Sequence, residues 1–226
     1  MYGSHRSRRL PRLTLTLVHA LIVAGVLGVL MRAPFLDGAP GWLRPDAGNA
    51  SRRAVLAALA ILYLIRFSAT ALWLLRREIG WREVLSVGPW LGFLHGALAV
   101  LGGSNPRPLS AVVGVGAALF VAAGWLGPWS EWKRLRWKER PENRGHLYTG
   151  GPFRHVMHPN YLADVVLFTG YALATGRLVA LGIPALVLAG FIFVHVPALD
   201  AYLKSKYDPE FRSYSSRTSR LIPGVW

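Results

Sequence analysis

Between residues 131 and 202 the sequence gathers side chains able to hold an ionic ligand and move a proton: Glu131, Arg144, Arg154, His158, Asn160, Asp164 and Tyr202. Arginine forks suit phosphate or carboxylate, and a helix beginning after Pro159 would offer free backbone N–H groups to the same anion. Asp164 follows Asn160 by four residues, so the two share a helix face about 6 Å apart along the axis. A carboxylate inside an apolar run is costly unless it pairs or meets a polar cavity, which marks Asp164 as a functional candidate; the plainer alternative is a buried ion pair. Tyr202 can donate a proton or a hydrogen bond. His155 and His158 lie three apart, but two histidines without a third ligand make a poor zinc site, and no metal is expected. With no cysteine in 226 residues, thiolate metal sites, iron–sulfur clusters and thiol nucleophiles are excluded.

The elements that must carry these groups are long and apolar. Hydrophobic residues make up 53% of the chain and charged ones 16%, a composition that a water-soluble enzyme rarely has. Six runs are long enough, or nearly so, to cross a hydrocarbon core: residues 13–31, 54–75, 84–102, 109–127, 161–175 and 178–198. The fifth is shorter and more polar than the rest, and only Gly176 and Arg177 part it from the sixth, as in a tight helical hairpin. The predicted fold is therefore an all-α, polytopic membrane bundle of about six transmembrane helices. It reads as one membrane domain over 1–226, with a four-helix portion at 1–127 and a cofactor-binding portion at 128–226.

Charge supports this arrangement. Assigned alternately to two sides, the segments place nineteen Lys and Arg on one side and six on the other, which puts both termini in the cytoplasm by the positive-inside rule. The net charge of +15 then reads as attraction to anionic lipid headgroups, and nucleic acid is not an expected partner. Residues 130–138 can prolong the fourth helix into the interface, with Trp132 and Trp137 at headgroup depth. Prolines 34, 40 and 45 among glycines predict an irregular loop over 32–53, and the apolar tail, with Phe211, Tyr214, Leu221 and Trp226, is expected to fold back over the site.

Three segments carry a resemblance: Pro141-Glu142-Asn143-Arg144-Gly145; Gly151-Pro152-Phe153-Arg154 leading to His158-Pro159-Asn160-Tyr161-Leu162-Ala163-Asp164; and Tyr214-Ser215-Ser216-Arg217-Thr218-Ser219-Arg220-Leu221-Ile222-Pro223. In order and spacing they resemble the steroid 5-alpha-reductase C-terminal superfamily, most of all its bacterial DUF1295 branch. That superfamily also holds sterol C14 reductases, which use NADPH, and isoprenylcysteine carboxyl methyltransferases, which use S-adenosylmethionine. The resemblance implies a cofactor pocket of Glu131, Arg144, Arg154, His158, Asn160, Tyr161, Asp164 and Tyr202, with Tyr202 or Asp164 delivering a proton. It implies a multi-pass protein of the bacterial inner membrane whose substrate is a lipophilic small molecule reached from the bilayer. The Asn after His-Pro and the Arg-Thr-Ser ending favour an NADPH-dependent reductase of a carbon–carbon double bond in an isoprenoid or sterol-like substrate. The alternative is an S-adenosylmethionine-dependent methyltransferase, although Leu199 and Asp200 stand where that group has a Glu pair. A non-catalytic lipid-binding protein is the second alternative.

Overall fold

The computed structural model describes residues 9–31, 38, 40, 44 and 48–226, so most of the loop predicted over 32–53, and Arg6 and Arg8 at the start of the chain, lie outside the described residues. Among the described residues the regular elements are helices: α1 (Arg9–Met31), α2 (Ala50–Ala69), α3 (Trp81–Gly103), α4 (Ala111–Lys138), α5 (Pro159–Ala174), α6 (Gly182–Gly190), α7 (Val196–Tyr207) and α8 (Glu210–Ser215). Wider π turns continue α2 over Thr70–Leu74 and join α6 to α7 over Phe191–His195. Among the described residues, five stretches are long and apolar enough to cross a membrane: Arg9–Met31, Ala50–Leu74, Trp81–Gly103, Ala111–Lys138 and Leu178–Tyr207. α5, with 16 residues, rises about 24 Å at 1.5 Å per residue, short of a full hydrocarbon core of about 30 Å. It is the shorter hairpin arm that its polar composition predicted. α4, at 28 residues, reaches about 42 Å and so carries its last turns beyond the apolar layer.

Two compact units make up the chain: Met1–Val121 with Phe168–Pro184, and Ala122–Leu167 with Ala185–Trp226. In the first, α1 packs most extensively on α3. His19 Nε2 lies 3.2 Å from His95 Nε2, and the Tyr63 and Phe67 rings stand edge-on to His19 at 5.4 and 4.7 Å. The helix-to-helix hydrogen bond expected of an intramembrane histidine is thus made by two histidines to each other. Gly92 and Gly96 have the four-residue spacing that lets helices pack closely, yet an added Cβ there would meet little or nothing, whereas Gly116 lies in close backbone contact. A Cβ there would sit 2.6 Å from the Gly170 carbonyl oxygen, so α4 and α5 touch through glycine, as small residues allow in membranes.

Arg52, almost fully buried, ties the ends of this unit together. It donates to the carbonyls of Ala174 (2.9 Å), Arg107 (3.3 Å) and Pro108 (3.1 Å). Asn105 Nδ2 donates to Thr175 O at 2.9 Å, and Arg177 Nε to Leu101 O at 2.8 Å. These carbonyls lie at helix ends and turns, where the backbone has no partner of its own. Asn49 caps α2 by accepting from Arg52 N at 3.0 Å.

Candidate functional site

The second unit carries the residues that the sequence singled out. Near the end of α4, Pro128 has no N–H to give the preceding turn, and buried Ser130 places its hydroxyl 2.7 Å from the Gly127 carbonyl and 2.5 Å from Asn160 Oδ1. Asn160 Nδ2 donates to Glu131 Oε1. Arg134 Nε donates to the other carboxylate oxygen of Glu131 at 3.0 Å. Ser130, Glu131, Arg134 and Asn160 therefore form one polar cluster that joins α4 to the first turn of α5. Asp164, one turn further along α5, is half-buried.

An apolar groove of about 390 Å³ runs beside this cluster, lined on α4 by Ala122, Ala123, Trp125, Leu126 and Trp129 and on α5 by Leu162 and Val166. Trp129 directly precedes Ser130, and Leu162 stands two residues after Asn160. The groove thus ends where the polar cluster begins.

α5 starts with proline at its first position, a residue pre-set for that place. His158, just before it, is buried, and its Nε2 lies 2.8 Å from Asp200 Oδ1 on α7. Arg220 Nε donates to Asp200 Oδ2 at 3.0 Å. On α7 alone, the i,i+4 spacing would pair Asp200 with Lys204. Both carboxylate oxygens are instead taken by groups distant in sequence, because Asp200 faces His158 and the returning tail. That tail lies along the loop before α5: Met157 N donates to Ser219 O (2.8 Å) and His158 N to Arg220 O (3.0 Å), while Leu221 is fully buried.

The π turn places Phe191 flat against Tyr161, centroids 4.4 Å apart and planes at 12°. Pro197, lacking an N–H, stands just beyond this turn, where α-helical bonding resumes. Tyr161 in turn stacks on His158 at 5.5 Å. Tyr202 is half-buried on α7, and its hydroxyl accepts from Lys206 Nζ at 3.2 Å.

The loop between α4 and α5 is irregular, as its glycines and prolines require. Gly145 and Gly151 adopt φ of 85° and 57°, a region that favours glycine. Arg144 and Arg154 are exposed, and among the described residues neither guanidinium makes a side-chain hydrogen bond or ion pair. His155 is exposed while His158 is buried, so the two histidines do not act as a pair. Glu210 anchors the loop by accepting from Leu147 N (2.8 Å) and pairing with His146 (2.7 Å). These two partners, the backbone N–H first, hold the Glu210 carboxyl below its usual range. Tyr214 donates to Phe153 O at 2.6 Å, and burial, aided by the nearby Asp200 charge, pushes its phenol up.

Of the predicted set, Glu131 meets Asn160 directly and His158 meets Tyr161. Arg144 and Arg154 remain open on the loop. Ser130, Asp200 and Arg220 were not among the predicted site residues, and the pairing of His158 with Asp200 was not foreseen. Ser130 was signalled only by its adjacency to Glu131, and Arg220 only by lying within the resembling tail.

Residues 90–218 match the family described as "Protein of unknown function (DUF1295)". "Probable O-methyltransferase ustE" of Ustilaginoidea virens is 38% identical over 91 residues, a stretch amounting to 39% of this chain and 32% of that protein. The chain thus aligns with about a third of its relative's length. With five helices among the described residues able to span a bilayer and a family match over more than half its length, this multi-pass membrane protein belongs to the DUF1295 family.

Proposed function

We propose that this protein is an S-adenosylmethionine-dependent methyltransferase acting on a lipophilic acceptor, with both termini on the cytosolic side. The observation that carries this reading is the likeness to a probable O-methyltransferase. The NADPH-dependent reductase is the reading that the sequence motifs favour.

The residues present fit the cofactor's chemistry. S-adenosylmethionine supplies an electrophilic methyl group on a sulfonium, together with a carboxylate, an ammonium and a ribose diol. Arg144 and Arg154 suit the carboxylate. Glu131 and Asn160, held rigid by Arg134 and Ser130, present acceptors for ammonium or hydroxyl, with Asp164 one turn on as a further acceptor. The stacked Tyr161 and Phe191 offer ring faces to a cation or a planar base. His158 and Tyr202 would line the same pocket.

Methyl transfer asks mainly for alignment. The groove beside the polar cluster would hold the acceptor's apolar part, and its tryptophan and alanine lining keeps water out. The polar end of such a molecule then lies against Ser130, Glu131 and Asn160. Membrane lipids would be both surroundings and source of substrate.

The test is transfer of tritiated methyl from S-adenosylmethionine by full-length protein in nanodiscs supplied with a total membrane lipid extract. Label entering the organic phase, and falling at least tenfold with Asn160→Ala, is the expected result. NADPH oxidation by the same extract without methyl incorporation would return the reductase to first place. Inactivity in both assays by folded protein would favour a lipid-binding role.

A further inference from the structure

Asp200 offers a carboxylate to His158 from α7, and Arg220 reaches it from the tail. A carboxylate only accepts, so the proton on the 2.8 Å contact belongs to His158 Nε2. The neutral ring then carries its lone pair on Nδ1. That atom makes no hydrogen bond among the described residues, although the side chain is only 3% exposed. Groups facing this ring are Asp200 from α7, Arg220 from the tail and Tyr161 from α5, with His195 of the π turn behind Tyr161 at 6.2 Å.

A buried imidazole whose outer nitrogen is kept free by a fixed carboxylate is built to take a proton. A carboxylate acceptor would have no use for it, since carboxylates are ionised at neutral pH and attack unaided. A hydroxyl must lose its proton as it attacks. Building on the proposed methyl transfer, we infer that His158 is the proton acceptor, that Asp200 is its positioning residue, and that the substrate class is a lipophilic alcohol or phenol rather than a carboxylic acid. The step balances: the hydroxyl proton passes to Nδ1, an oxygen lone pair forms the new O–CH3 bond, and the old methyl–sulfur pair stays on a neutral thioether.

Full-length protein labelled with 15N-histidine tests this without turnover. The His158 resonances, assigned by their loss in His158→Gln, should report the Nε2–H tautomer. Asp200→Asn should reverse it, because the new amide can donate to Nε2, while S-adenosylhomocysteine affinity stays within about twofold. In turnover, 4-nonylphenol should be methylated and 4-nonylbenzoate at least tenfold less. Asp200→Asn and His158→Gln should each lower kcat on the phenol by about 100-fold, and Asp200→Asn should leave KM for the methyl donor nearly unchanged. A wild-type Nδ1–H tautomer overturns the inference with no variant needed. So does preference for the benzoate, methylation of neither probe, or an Asp200→Asn variant with normal kcat. Failure of wild-type protein to bind S-adenosylhomocysteine overturns the methyl-transfer reading itself, whereas binding with the wrong tautomer or acceptor preference overturns only this assignment.

Discussion

Arg52, Asn105 and Arg177 in the first unit spend their donors on backbone carbonyls at helix ends. In the second unit, Glu131 and Asp200 each take donors from two side chains, while the guanidinium groups of Arg144 and Arg154 stay exposed on a glycine-bent loop. The contrast separates two uses of charge in a membrane protein. Where cations close off backbone groups, polarity holds helices together. Where carboxylates are oriented by side chains and loop cations stay exposed, polarity is, on the proposed reading, arranged for a ligand.

Substitutions can break or sharpen that contrast. Arg52→Ala removes three donors and strands the carbonyls they serve, which should cost about 3–5 kcal/mol and lower the melting temperature sharply, with little effect on ligand affinity in whatever remains folded. Gly116→Val drives a side chain against the Gly170 carbonyl, and a loss of about 1–3 kcal/mol is expected in the same melt. Asn160→Ala should do the opposite of both: S-adenosylhomocysteine affinity falls about tenfold, or 1.4 kcal/mol, while the unliganded melting temperature moves little. An Asn160→Ala protein that unfolds like Arg52→Ala would erase the distinction.

The smallest effect concerns pH. Because the Tyr214 phenol is pushed up in the folded protein, the neutral form is favoured there. Its contribution is complete below the unfolded phenol's value of about 10 and is lost as pH rises from there toward the folded value. Melting curves above about pH 10 should fall less steeply for Tyr214→Phe, which at neutral pH should lose about 1 kcal/mol with its bond to Phe153.

The helices were legible because apolar runs of this length have few other fates, and the shortness of α5 followed from its polar residues. The loop's departure from helix was also readable from Gly145, Gly151 and Pro152. The contact at Gly116 was not, since Gly92 and Gly96 have the commoner spacing and only tertiary packing decides which glycine faces a partner. The π turn at Phe191–His195 was equally hidden, although Pro197 marks its neighbourhood. Within the site, Asp164 stood out as a carboxylate inside an apolar run, and Asn160 as its neighbour four residues earlier on the same helix face. The Asp200–His158–Arg220 group did not, because local helix spacing pointed Asp200 to Lys204 whereas its partners come from 42 and 20 residues away.

The proposed chemistry requires the second unit to bind S-adenosylmethionine. Thermal stabilisation of the detergent-purified chain by S-adenosylmethionine, S-adenosylhomocysteine, NADPH and NADP, repeated with Asn160→Ala, tests it most directly. S-adenosylmethionine and S-adenosylhomocysteine alone should raise the melting temperature, and Asn160→Ala should lose most of that rise. Stabilisation by the two nicotinamide nucleotides alone would contradict it.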